Sequence, residues 1–280
     1  MTETPIDIDA LRAWIGREET AAEPLTEALA ARYAATLDLG PPPMAGGDAP
    51  FGLHLCLTQP AVAPGGLGRD GHPARGGFLP PVPLPRRMWA GGAFRHHAPL
   101  RVGEPVERRS AIADVALKQG RTGPLCFVTV KHEIRCGGRL ALTERQDIVY
   151  REDRPSGAAK TPPPAPEGPL RRAVAATPTL LFRYSALTFN GHRIHYDEPY
   201  ARQVEGYAGL VIHGPMQATL MRLWAEELMG APPAEFSFRG LSAVCAPCDL
   251  QLHAEEGEDA LRLWTAAPGG PVAMEARATW

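Results

Sequence analysis

The sequence predicts an α+β chain built from two similar halves, and three observations carry that reading. A Pro/Gly/Ala-rich run, RPSGAAKTPPPAPEGP at residues 154–169, separates residues 1–153 from residues 170–280. Consecutive prolines favour extended polyproline II and suit neither a helix interior nor a central strand, so the run reads as a linker. Each half closes on β-rich runs divided by turn residues, as an antiparallel meander does. Two amphipathic stretches with clear start and stop signals supply helices to pack on those sheets.

The first helix is expected over residues 24–37, with Pro24 in its first turn and Leu25, Leu29, Tyr33 and Leu37 forming one stripe. Residues 40–98 are dominated by Gly and Pro, and a stretch of that length in a compact domain is either a functional loop or holds short elements that its pattern does not reveal. LCFVTVKHEIRC (125–136) and RLALTERQDIVY (139–150) flank Gly137-Gly138, which signals a hairpin. The stronger helix is GPMQATLMRLWAEELM at 214–229, with Pro215 at its first turn and Gly230 after its end. Met216, Leu220, Leu223, Trp224 and Leu228 give it a broad apolar face. The runs FSFRGLSAV, DLQLHAEE, ALRLWTAA and VAMEARATW complete the second meander.

Bulk properties exclude several functions. The 280 residues carry 29 Lys plus Arg against 31 Asp plus Glu. So even a balance leaves no electrostatic footprint for nucleic acid or an anionic membrane. No run approaches the roughly 20 apolar residues of a membrane span. The opening MTETPIDIDALRAW is acidic, unlike a signal or transit peptide. Five cysteines without framework spacing fit a reducing cytoplasm.

Chemistry concentrates in RYSALTFNGHRIHYDEPYA, residues 183–201, where Arg183, Asn190, His192, Arg193, His195 and Asp197 crowd together. Histidine titrates near neutrality and can both take and give protons there. Further on, His213-Gly214 opens the stronger helix. A backbone N–H at a helix N-terminus lacks an intrahelical partner and sits at the positive end of the dipole. An acid/base group together with such a donor is the minimum kit for enolate chemistry on a thioester.

These residues resemble the hydratase motif of the MaoC-like, hot-dog-fold (R)-enoyl-CoA hydratases. Within that group, FNGHRIHYD and the earlier run GRDGHPARGGFLPPVPLPRRMWAGG (68–92) are similar to the branch of type 2 hydroxyacyl-thioester dehydratases and mesaconyl- or itaconyl-CoA hydratases. The resemblance implies a double hot dog, two antiparallel sheets each wrapped around a central helix. It places His195 on the family's proton-transfer histidine and Gly214 on its oxyanion-hole glycine. Asn190 falls on the catalytic aspartate, a departure that leaves it to hold a water by hydrogen bonds. The first half would be non-catalytic and shape the acyl and CoA site. The implied substrate is a short, dicarboxylic enoyl-CoA, with coenzyme A as part of the substrate and no separate cofactor. Arg183, Arg193, Arg86, Arg87, Tyr184 and His213 are the expected substrate-binding residues, and a homodimer is compatible with the family.

Other readings compete at particular residues. His192 and His195 form H-x-x-H, but Gly191 breaks a regular helix and no third metal ligand lies close in sequence. Asp197 fits an N-cap for DEPYARQ. Cys245 and Cys248 sit between strands, unlike a redox pair at a helix N-terminus. Asp70, His72, Arg86 and Arg87 fit a lid or rim. The rival functions are a fatty-acid dehydratase using the same residues in reverse, a hot-dog thioesterase, and a non-catalytic acyl-CoA binder.

Overall fold

A computed structural model describes residues 6–120, 123–152 and 162–280. The first part of the proposed linker, through residue 161, lies outside them. In chain order the first half contains α1 (Ile8–Arg12), β1 (Glu18–Pro24), α2 (Glu27–Leu37), β2 (Arg86–His96), β3 (Pro105–Gly120), β4 (Gly123–Cys136) and β5 (Arg139–Arg151). The second contains β6 (Leu170–Ala176), α3 (Pro178–Leu187), α4 (Glu198–Gln203), β7 (Leu210–Val211), α5 (Gly214–Met229), β8 (Glu235–Gly240), β9 (Cys245–Ala246), β10 (Cys248–Glu256), β11 (Leu261–Ala266) and β12 (Val272–Thr279).

The halves repeat one topology. From the outer edge inward, the first runs β1-β3-β4-β5-β2 and the second β6-β10-β11-β12-β8. In each, an edge strand leads through helix to the innermost strand, and a three-stranded meander fills the gap. The innermost strands pair with each other, Gly91 opposite Arg239 through Arg95 opposite Glu235. The expected two sheets are therefore one continuous antiparallel sheet of ten strands. Phe94 seals the join by packing on Phe238, ring centroids 5.4 Å apart, as well as on its partner Phe236.

Only one half keeps a long central helix. α5 buries Met216, Leu220, Met221, Trp224 and Ala225 and ends at left-handed Gly230, as its punctuation predicts. In the first half a single 3-10 turn, Leu53–Cys56, is what buries itself between α2 and β2. In place of a helix, that interior holds a polar row, Ser110, His132 and Glu144, in register across β3, β4 and β5. His54 approaches Glu144 at 3.7 Å. Burial drives the Glu144 carboxyl up to about 7 and the His54 ring down to about 3.

A further expectation is corrected. Pro24 ends β1 instead of starting a helix; α2 begins at Glu27, with Thr26 accepting from Leu29 N. The 40–98 stretch holds an element that its pattern does not reveal, β2, bulged near Trp89 and Gly91. No helix among the described residues is long and apolar enough to cross a membrane.

Candidate active site

The motif begins where α3 stops. Phe189, left-handed at φ 48°, turns the chain out of the helix, and Asn190 N donates to Ser185 O at 2.8 Å. Asn190 Oδ1 then accepts from His192 N at 3.0 Å. A backbone N–H can only donate, so this bond fixes the amide orientation and leaves the Asn190 NH2 as the outward donor. A 3-10 turn, Arg193–His195, follows. Asp197 caps α4 through Tyr200 N and also holds Arg193 at 2.7 Å.

His195 is buried, and its Nδ1 lies 2.7 Å from Val211 O. A carbonyl oxygen only accepts, so Nδ1 carries the hydrogen and Nε2 keeps a lone pair. The ring stacks on His213 with centroids 3.6 Å apart. His213 is fully buried, precedes Gly214 as the N-cap of α5, and reaches Ser185 Oγ at 2.8 Å. Burial lowers the His195 pKa to about 4 and pushes His213 well down. Both rings are neutral at pH 7, and an imidazolium at His195 has only a backbone carbonyl to support it.

The first half reaches into this site. Gly71 and Gly191 pass in direct backbone contact: a Cβ on Gly191 would sit 2.6 Å from Gly71 O, and one on Gly71 would overlap Gly191 O. Arg193 N donates to Asp70 O at 2.9 Å. This contact sets Asp70-Gly71-His72 against Asn190-Gly191-His192. The two turns are alike, since His72 N donates to Asp70 Oδ1 at 3.1 Å just as His192 N does to Asn190. The His72 and His192 rings lie 4.2 Å apart, and His192 lies 5.4 Å from His195. His72 Nδ1 also bonds Asp70 Oδ2 at 3.0 Å. Asp70, His72 and His192 offer ligand atoms within 4.8 Å of one another. The Asp70 bond occupies His72 Nδ1 and leaves Nε2 free, so the spacing by itself neither makes the trio a metal centre nor rules one out.

Trp89 from β2 closes the site on the side of Gly214. A Cβ on Gly214 would meet Met274 Cε at 3.6 Å and the Trp89 ring at 3.7 Å, both ordinary contacts. Gly214 is not left-handed either. Neither packing nor backbone geometry requires glycine here. Gly214→Ala is expected to unfold like the parent protein while losing ten- to a hundredfold in turnover, because the added methyl pushes the oxygen off the N–H. A folded Gly214→Ala with parental turnover would remove the oxyanion role.

A family model described as hydroxyacyl-thioester dehydratase type 2 matches residues 52–246, a span that takes in both glycine turns, His195 and Gly214. The chain belongs to this family. Over 270 residues it is 44% identical to mesaconyl-C(4)-CoA hydratase of Chloroflexus aurantiacus, covering 94% of this chain and 95% of that one. Among solved structures, HtdX of Mycobacterium tuberculosis aligns at 20% identity and TM-score 0.66, over 93% of this chain and 98% of that one. A second M. tuberculosis protein, described as having a double hotdog fold, aligns at 17% identity and TM-score 0.60, over 94% and 95% of the two chains. At those identities the structural likeness concerns the fold, and the double hot dog is that fold.

In this dehydratase-family chain the sequence-predicted residues separate into groups. Asn190, His195, His213 and Gly214 come together. Tyr184 joins them through its ring, 5.0 Å from that of His213. Arg193 is tied to Asp197 and stacked over Tyr200, and Arg86 pairs with Glu205 at 3.4 Å. Arg183 is exposed and lines a separate cavity of about 1050 Å³ beside Arg172, Leu220 and Glu226. Asn190, His195 and Gly214 do not line that cavity. Burial lowers the pKa of His72 and His192, and the nearby Arg87 charge adds to that lowering. The sequence reading puts Asp70 and His72 on a lid or rim and not against the Asn190 turn, and it does not single out Ser185 or Trp89. The shared X-Gly-His spacing was the available signal for pairing the two turns.

Proposed function

We propose that this enzyme adds water reversibly to a short enoyl-CoA bearing a second carboxylate, of the mesaconyl-CoA type. The observation that carries the reading is the pairing of a fixed His195 tautomer, Nε2 free, with the helix N-terminus at Gly214. Hydration needs a water at the β-carbon, a proton at the α-carbon, and relief of the charge that builds on the thioester oxygen. Gly214 N–H takes that oxygen, a contact commonly worth about 3 kcal/mol. His195 Nε2 accepts a hydrogen bond from the attacking water, and the Asn190 amide donates one to it. The first half shapes the acyl and CoA site through β2 and the Asp70 turn. The identity with a mesaconyl-C(4)-CoA hydratase supports the substrate class. The test is a panel of short dicarboxylic, short neutral and long enoyl-CoAs followed at the absorbance of the conjugated thioester. Preference for a long neutral chain would move the assignment to fatty-acid dehydration, and release of free CoA thiol to a thioesterase.

Arg87 is assigned the second carboxylate. A guanidinium meets a carboxylate through two parallel hydrogen bonds, and a shielded pair contributes about 1.5–3 kcal/mol. Arg87→Gln is therefore expected to erase one to two decades of preference for the dicarboxylic over the neutral substrate while sparing the neutral one. If Arg87 held a CoA phosphate instead, the Michaelis constants of both substrates would rise by a similar factor.

A further inference from the structure

We infer that the catalytic base of this site comes from the first half: His72, backed by Asp70, takes the proton of the attacking water. The inference rests on the hydratase reading above and supplies what the motif in the second half lacks. Asn190 cannot accept a proton near neutral pH. His195 can, but the resulting charge would be buried with only Val211 O beside it. An uncompensated buried charge is costly.

The Asp70 turn is the counterpart of the Asn190 turn, built the same way and pressed against it through Gly71 and Gly191. The difference is that it carries a carboxylate. Asp70 Oδ2 accepts from His72 Nδ1 at 3.0 Å, so the His72 Nε2 keeps its lone pair, as in other carboxylate–imidazole pairs that act as bases. An imidazolium formed at His72 is compensated by Asp70 at once. Of the four clustered imidazoles, His72 is the one that is not buried, its side chain being 21% exposed.

The step balances without a co-reactant. One O–H bond of the water breaks and its proton goes to His72 Nε2, while the released pair forms the bond to the β-carbon. The alkene pair moves to the thioester oxygen at Gly214 N–H. Collapse of that enolate returns the pair to the α-carbon, which takes the proton back from His72. Asp70 stays ionised throughout, and His195 holds the water from its other side.

The test uses His72→Gln and Asp70→Asn in the full chain. Asparagine at 70 keeps the turn, because Asn190 already forms the same turn with the same bond. His72→Gln is expected to lower kcat about 100-fold or more with little change in KM. Asp70→Asn should lower kcat about tenfold or more and move the acidic limb of the kcat profile down by about one pH unit. Loss of the carboxylate makes His72 less basic, a shift that a purely structural role would not produce. Parental kcat and an unmoved profile in both folded variants would overturn the inference while leaving the hydratase assignment standing. A parent protein that hydrates no member of the thioester panel would remove the assignment itself. Activity abolished by a chelator and restored by zinc would make Asp70, His72 and His192 metal ligands and would also overturn it.

Discussion

His195→Ala lowers turnover about 100-fold or more while the protein still unfolds in one transition near the parental midpoint. The variant gives up one hydrogen bond to Val211 O, worth about 1 kcal/mol, and the stack on His213. In a sheet of this size those losses move the midpoint by only a few degrees. Catalysis loses more, because the alanine removes one of the groups that hold the attacking water in place. Positioned proton-transfer and water-holding groups typically contribute a hundredfold or more. The measurement is single-substrate turnover beside a thermal melt. Parental turnover in folded His195→Ala would take the chemistry away from this motif altogether.

The sequence can single out His195 as a candidate because its neighbours are local: the turn, the following Asp197 and the Gly214 helix start all lie within one stretch. The same locality left the arginines open between salt-bridged structure and substrate contact. Arg193 and Arg183 flank the motif in sequence, yet Arg193 has an i,i+4 partner in Asp197, and Arg183 faces outward while its neighbours Tyr184 and Ser185 face inward. Adjacency along a helix says little about which side of it meets substrate. Arg87 lies about a hundred residues earlier, on a strand that pairs with β8 of the second half.

The strands follow a similar division. The β4–β5 hairpin and the closing meander have alternating apolar residues and glycine turns, so their period is visible. β1 reads EETAAEP and is almost wholly exposed, and β2 carries Gly91-Gly92 in its middle. Neither presents an apolar alternation; tertiary pairing defines both. Continuity of the ten strands depends on two edges meeting in space, which neither half encodes alone. The strand order nevertheless repeats in both halves, a repeat that is visible as topology.

Gly71→Ala is expected to cost about as much activity as loss of a catalytic group, although residue 71 has no side chain to act. Gly71 adopts φ +87°, where an L-residue is strained by about 1–2 kcal/mol, and its Cβ would overlap the carbonyl of Gly191. The Asp70 and Asn190 turns must then separate by about an ångström, the scale of misplacement that commonly costs a hundredfold in rate. His72 and His195 would both survive intact in the wrong relation. Gly138→Ala controls for backbone strain: it has φ +81° but nothing within 4 Å, and it lies in the β4–β5 turn. That variant should lose stability to a similar degree and keep parental turnover. If Gly71→Ala and Gly138→Ala lose turnover equally, strain is the cause and contact between the halves is not required for catalysis. A loss confined to Gly71→Ala makes the site a joint property of both halves.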